Sequence, residues 1–228
     1  MKRIMIISFS TILVFLMSVT GLYKFGRSLW SPVVTQLAGE HTVADRISNI
    51  IARKPGLAKM PAGDRLLIVA YKQERELEVW VDRTRIDVIP ILAASGGPGP
   101  KLQEGDNQVP EGIYRIDLLN PNSSYYLSMR VSYPNGEDVR RSGALGIKEI
   151  GGDIYIHGKQ ASIGCLAIGD DKIEDLFYDV NRMGLGKVKV VILPGRDMTD
   201  YIAKSTIYKD LYLSLKREVD PLRTAGPR

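Results

Sequence analysis

Cys165 is the only thiol in 228 residues, and His41 and His157 are the only imidazoles. A single Cys excludes a disulfide framework and a Cys-rich zinc site. Two His and one Cys are too few for a metal centre, and a thiol, an imidazole and backbone amides suffice for nucleophilic chemistry without a cofactor. What these side chains can support is nucleophilic chemistry. A thiol with a pKa near ~8.5 is mostly protonated at neutral pH, and a neighbouring imidazole can take that proton. His157 lies eight residues before Cys165, at the end of the apolar stretch Ile154-Tyr155-Ile156. Eight extended residues span about 30 Å, but a loop rich in Gly and Ser can fold its ends together. Gly158 and Gly164 allow close backbone approach. N–H groups in the Gly164-Cys165 turn can point at a developing oxyanion. On these residues alone two readings stay open. One is an inert buried thiol with a core histidine bonded to a backbone carbonyl; the other is a paired nucleophile and base. His41, on a separate helical segment, reads as a surface residue.

The elements that must position this pair are mostly strands. Leu66 to Val69 is an apolar run, Gln73-Glu74-Arg75 a polar turn, and Leu77, Val79 and Val81 alternate with Glu76, Glu78, Trp80 and Asp82. Period-two patterning of this kind predicts a hairpin with one buried face. Further strands are expected at Ile86 to Ala94, Gly112 to Leu119, Tyr125 to Tyr133, Asp153 to Ile156 and Lys187 to Leu193. Ser95 to Glu111, with four Gly and three Pro, is the longest loop, and loops of this length are usually functional or disordered. Pro134-Asn135-Gly136 marks a tight turn. Asp171, with Glu174 three residues on, predicts a capped helix after the cysteine, with Ile173, Leu176, Phe177 and Val180 on its apolar face and Gly184 as its stop. His41 to Arg53 predicts a short amphipathic helix with Val43, Ile47, Ile50 and Ile51 on one face, and Thr199 to Val219 shows helical spacing. The fold class expected is mainly β, a sandwich or cradle, with a helix after the cysteine and flanking helices.

Composition narrows the setting. With 44% hydrophobic and 25% charged residues the chain can bury a core. Without Lys2 and Arg3 the 31 Lys and Arg fall to 29 against 26 Asp and Glu, or +3, too weak a basic excess to argue for nucleic acid. Met1-Lys2-Arg3 precedes an uncharged stretch from Ile4 to Tyr23. A short basic region before an apolar run predicts an export signal, and twenty such residues are about what a helix needs to span ~30 Å of hydrocarbon. An uncleaved inner-membrane anchor through residues 4–23 is favoured over a removed signal, with the remainder in the periplasm. The expected organisation is 1–23 anchor or signal peptide, 24–63 linker with a short helix, 64–195 catalytic domain and 196–228 helical tail.

Several blocks carry a family resemblance. Ser95-Gly96 to Pro100-Lys101, Glu104-Gly105-Asp106, Pro110-Glu111-Gly112-x-Tyr114, Tyr133-Pro134-Asn135 and His157-Gly158-x3-Ser162-x-Gly164-Cys165 resemble, in order, the motifs of the L,D-transpeptidase (YkuD-type) catalytic domain. The particular branch resembled includes the enzyme that releases Braun lipoprotein from peptidoglycan. The resemblance covers about Asp64 to Leu193. It implies that Cys165 is the nucleophile that forms a thioacyl-enzyme and His157 the general base and acid. It further implies that the Gly158 carbonyl orients the imidazole, that Gly164 and Cys165 supply oxyanion N–H groups and that Ser162 supports the loop. Tyr133 and Lys101 are implied as substrate-cleft residues, although a packed ring and a solvated amine are equally consistent with their types. Arg140-Arg141 could attract the carboxylates of stem peptides, but a solvated basic pair is the favoured reading. The implied substrates are peptidoglycan stem peptides containing meso-diaminopimelate, with hydrolytic release of a wall-linked lipoprotein as the alternative and a non-catalytic wall-binding module as a third reading. Two positions depart from the main family: Ile163 replaces a His, and Leu166-Ala167 replace an Arg or Asn. Both departures fit the lipoprotein-releasing branch.

Overall fold

The hairpin expected from the 66–81 alternation forms from β1 (Leu66–Tyr71) and β2 (Glu76–Val81), paired antiparallel from Leu66↔Val81 to Tyr71↔Glu76. A computed structural model describes residues 41–59, 61–97 and 99–223; the expected anchor at 4–23 lies outside them. Among the described residues, no helix is long and apolar enough to cross a membrane. The remaining strands are β3 (Thr84–Pro90), β4 (Gly112–Ser123), β5 (Tyr126–Val131), β6 (Tyr155–His157), β7 (Leu166–Ala167) and β8 (Val188–Leu193). They join one eight-stranded sheet in the order β3-β2-β1-β8-β4-β5-β6-β7. Pairings are antiparallel except β1 with β8 and β6 with β7.

The long strand β4 is what curls this sheet. Its first residues, Gly112–Arg115, pair with β8, and from Ile116 onward it pairs with β5, with register shifts at Ile116/Leu118 and Asn120/Ser123. Such shifts bend a strand and raise its local twist. The curl brings the two ends of the sheet together. Just beyond β3, Ala93 bridges Ala167 of β7, with Leu92 N–H donating to the Ala167 carbonyl at 2.8 Å and Ala167 N–H to the Ala93 carbonyl at 3.0 Å. The segment after β3 thereby caps the strand that begins beside Cys165.

Apolar side chains of every strand fill the inside of the curl, with Leu66, Ile68, Ile116, Met129, Ile156 and Leu166 among those fully enclosed. Fully burying such a side chain contributes roughly 1.5–3 kcal/mol. Helix α1 (Val43–Arg53) starts at Thr42, whose hydroxyl and Asp45 form a capping box. It buries Ile50 but leaves Ile51, at the edge of its stripe, exposed. Helix α2 (Gly136–Ala144) was expected only as a turn. Asn135 caps it by accepting from Glu137 and Asp138 N–H groups. Arg141 on α2 is buried against Asp138 at 3.2 Å instead of solvated.

Helix α3 (Asp170–Met183) follows the cysteine as expected, with Ile173, Leu176, Phe177 and Val180 enclosed and Gly184 at its C-cap. The expected cap is corrected. The N-cap is Gly169, without a side-chain cap bond. Asp171 pairs with Lys54, and Glu174 pairs with Arg53 at 2.6 Å, fastening α1 to α3. The tail splits into α4 (Thr199–Lys204) and α5 (Lys209–Arg223). Leu211, Leu215 and Val219 of α5 cover Val69, Tyr71, Trp80 and Val191 on the outer face of the sheet. For that reason β2 is buried on both faces and not on one. Glu78 is enclosed too, held by Arg196 at 2.7 Å, Arg85 at 2.8 Å and the Trp80 indole N–H at 3.1 Å.

Candidate active site

His157 ends β6 and is 2% exposed. Its Nδ1 lies 2.6 Å from the Gly158 carbonyl oxygen. A carbonyl only accepts, so Nδ1 carries the proton and Nε2 presents the lone pair. Burial holds the imidazole below its ordinary pKa, partly opposed by the Gly158 carbonyl, which favours the charged form. The ring is therefore neutral at pH 7 and competent as a base. The Tyr125 ring lies over it, centroids 4.5 Å apart and tilted 41°.

Gly158 is required by space. A Cβ there would stand 2.6 Å from Asp170 Oδ1 and 2.8 Å from the Tyr125 carbonyl oxygen. That same Asp170 oxygen accepts from Lys159 N–H at 2.7 Å, and Lys159 sits at φ 57, a left-handed conformation that a residue with a Cβ rarely adopts unless its surroundings hold it. Lys159 Nζ donates to the Ser124 carbonyl at 2.6 Å. Helix α3 thus begins at the residue that holds the turn after the histidine.

Cys165 stands at the entrance to β7. The parallel register pairs Ile156 with Leu166 and His157 with Ala167. The ladder ends there, so Cys165, one residue before β7, is placed by its own contacts and not by the strand register. In a regular ladder Tyr155 N–H would donate to the Gly164 carbonyl; here it donates to Cys165 Sγ at 3.4 Å. The thiol in turn lies 3.7 Å from the Asp153 carbonyl oxygen. Among the described residues the sulfur thus has backbone partners and no hydrogen bond to the imidazole. Such bonds are often loose without substrate and tighten on binding. Burial pushes the thiol above its ordinary pKa, and the Asp153 charge adds to this. Tyr155 N–H and the Lys101 charge oppose it. Sequence reasoning expects a thiol lowered by its imidazole; the resting geometry raises it through burial, and the imidazole is not among the groups acting on it.

The turn before the cysteine is shaped by Gly164, at φ 80. Both N–H groups expected to stabilise an oxyanion are engaged by hydroxyls. Gly164 N–H donates to Ser95 Oγ at 2.6 Å and Cys165 N–H to Ser162 Oγ at 3.1 Å. Ser95 donates onward to the Asn107 carbonyl at 2.7 Å, which closes the 95–111 loop on itself and ties it to this turn.

Beside the turn opens a cleft of about 450 Å³, lined by Lys101, Asn107, Gly152, Asp153, Ile163 and Gly164 among others. Ile163 at its mouth is 76% exposed, whereas Leu166 and Ala167 are enclosed. Lys101 reaches the cleft wall, but its ammonium is spent on Asp106 at 2.7 Å and the Gln103 carbonyl at 2.8 Å. Tyr133 is packed in the core and stands behind the cleft. Its hydroxyl donates to the Ile150 carbonyl at 3.1 Å, one residue before Gly151 on the lining. Cys165, His157, Gly158, Ser162 and Gly164 therefore come together in one strand-and-turn unit. Lys101 joins it at the cleft wall, and Tyr133 does not touch the cleft. Sequence reasoning missed Ser95, Tyr125 and Asp153. Ser95 and Tyr125 are remote in the chain, and only an exposed aromatic at the tip of the 123–126 hairpin turn offered a signal. Among the described residues no cluster of His, Cys, Asp or Glu could hold a metal.

Comparison with known proteins gives this arrangement its relatives. The profile of YkuD, the L,D-transpeptidase catalytic domain, matches residues 64–192. The Escherichia coli K12 protein named "Putative L,D-transpeptidase YafK" is 35% identical over 170 residues, 69% of this chain and 66% of that protein. The counterpart from Escherichia coli O157:H7 matches to the same extent. The chain thus spans just under two thirds of the length of the curated relatives it matches. Among solved structures, the helical cell shape determining protein Pgp2 from Campylobacter jejuni aligns with a TM-score of 0.47 and 20% identity over 68% of this chain and 56% of that one. L,D-transpeptidase 1 of Mycobacterium tuberculosis aligns with a TM-score of 0.34 and 17% identity over 57% of this chain and 62% of that one.

Proposed function

The chain belongs to the family of L,D-transpeptidase catalytic domains, and we propose that it is a cysteine acyl-transfer enzyme acting on peptidoglycan stem peptides. The observation that carries this reading is the imidazole whose Nδ1 is pinned by the Gly158 carbonyl. That leaves Nε2 as a base at the end of β6, next to the strand that begins directly after Cys165. Binding alone requires neither a fixed tautomer nor a thiol at a cleft edge, which disfavours the non-catalytic wall-binding reading.

In the proposed reaction, His157 Nε2 takes the Cys165 proton as sulfur attacks the stem-peptide carbonyl carbon. The negative charge on the carbonyl oxygen is met by Gly164 and Cys165 N–H groups. In the resting state these donate to Ser95 and Ser162, so the substrate oxygen takes the place of a hydroxyl. Collapse breaks the C–N bond, and the imidazolium returns its proton to the leaving amine. The thioester then passes its acyl group to an amine, or to water, with His157 again as base. The open cleft rim, with Glu104, Gly105 and Asn107 exposed, favours a second reading in which water is the acceptor and a wall-linked protein is released. An export signal or anchor at residues 4–23 and a periplasmic location complete the reading, because peptidoglycan lies there. Incubating the full chain with purified sacculi and identifying products by mass spectrometry tests it. New crosslinks or freed peptide stubs that disappear in Cys165→Ala are expected; unchanged sacculi would refute it.

A further inference from the structure

Gly99, two residues before Lys101 in the 95–111 loop, lines a second and larger cleft, of about 580 Å³. Gln73, Gly99, Asp200, Tyr201, Tyr208 and Tyr212 form most of its wall. The three tyrosines make one array: Tyr212 meets Tyr201 edge-on at 5.9 Å and 69°, and Tyr208 at 6.0 Å and 61°. Tyr212 is enclosed behind, while Tyr201 and Tyr208 are half-buried. Their polar tips are arranged differently from their rings. Tyr201 donates its hydroxyl proton to Gln73 Oε1 at 2.7 Å, which orients the Gln73 amide so that its NH2 group remains available. Among the described residues the Tyr208 hydroxyl has no hydrogen-bond partner. Burial keeps the Tyr201 hydroxyl protonated, and the charges of Glu111, Glu74 and Asp200 add to this.

Aromatic rings flanked by amide and hydroxyl groups suit a ligand with C–H faces and hydroxyl edges, which is the surface of a pyranose. The lysine on the lining, Lys204, is paired with Asp200 at 2.5 Å, and Asp197 is on the lining too, so among the described residues the cleft offers no uncompensated cation to a phosphate or another anion. The two clefts also share a wall. Gly99 lines this one and Lys101 the one beside Cys165, and two residues span at most about 7 Å. Lys72 fixes that wall, its ammonium donating to the carbonyls of Gly99 at 2.8 Å and Val109 at 3.0 Å. A polymer with a peptide in one cleft would have its backbone within reach of the other.

We infer that the tyrosine-lined cleft is a saccharide subsite for neutral N-acetylated sugars of the glycan strand whose stem peptide is presented to Cys165. This rests on the peptidoglycan reading above for the identity of the polymer, though not for the chemistry of the cleft. The test titrates the full chain with chitotetraose, a β-1,4-linked N-acetylglucosamine tetramer with no stem peptide. Ring NMR signals of the tyrosines and calorimetry are followed for wild type and Tyr208→Ala. Shifts confined to Tyr201, Tyr208 and Tyr212 in wild type are expected, with affinity falling about tenfold in the variant. The ratio of turnover on sacculi to turnover on free stem peptide should fall with it. No shifts, shifts elsewhere, undiminished affinity in a folded variant, or preference for a proline-rich peptide over the sugar would overturn the inference. The wild-type shift map decides the matter even if the variant does not fold. Sugar binding at the tyrosines without turnover on either substrate would instead refute the enzyme reading and leave the saccharide subsite standing.

Discussion

At the residue scale the site works through two opposed effects of burial. The same desolvation that keeps His157 neutral keeps Cys165 protonated, so the resting pair is not a thiolate and imidazolium. For His157 the sign is fixed by its lowered folded value. The unfolded chain binds more protons below its ordinary pKa of about 6.5, so this group's share of stability is complete above that pH and is lost as pH falls through the folded value. For Cys165, iodoacetamide should alkylate the full chain with a rate midpoint above that of an ordinary thiol, near ~8.5. A midpoint below the ordinary value would mean a preformed ion pair and contradict the geometry. The strand-and-turn unit was legible because its residues are close in the chain: His157, Gly158, Ser162, Gly164 and Cys165 fall within one short stretch. Ser95 was not, because its hydroxyl reaches Gly164 from 69 positions away and no spacing rule connects them.

At the element scale, strands with period-two alternation were legible, and so were the helices with an apolar stripe. Helix α2 was not, since Pro134-Asn135-Gly136 reads as a turn and few apolar residues follow. It is held by the Asn135 cap and by buried polar contacts, including Tyr114 to Asp138 at 3.1 Å. The same limit applies to β2, where Glu78 and Trp80 read as solvent-facing until α5 and Arg196 cover them. The 95–111 loop shows how a long irregular segment is kept in place. Lys72 pairs with Glu111 at 2.8 Å, and Glu111 is 0% exposed. Lys72→Met would leave that carboxylate buried and unpaired and release the loop at Gly99 and Val109. The expected cost is about 3–5 kcal/mol in urea unfolding, because removing one partner strands a buried charge. A loss under about 1 kcal/mol, the worth of a surface ion pair, would show that the clamp is not holding the loop.

At the scale of the whole molecule, the sheet curls until the segment after β3 meets β7, and this closure fixes the turn whose Ile163 and Gly164 line the cleft. Strand order and closure were not readable, since they depend on which distant edges meet: Ala93 and Ala167 are ordinary small residues until the curl joins them. The order does explain why a two-residue strand suffices to hold Cys165, the residue before it. Strand β7 is held by β6 on one side and by Leu92 and Ala93 on the other, so the thiol is placed by the fold and not by its loop alone. The account stands on Cys165 becoming acylated with His157 as its base. Intact-protein mass spectrometry of the full chain mixed with a tetrapeptide stem should show a population heavier by one acyl-peptide group, mapped to Cys165. That population should be lost in His157→Gln at neutral pH and in Cys165→Ala. An adduct that persists without the imidazole, or sits on any other residue, would contradict it.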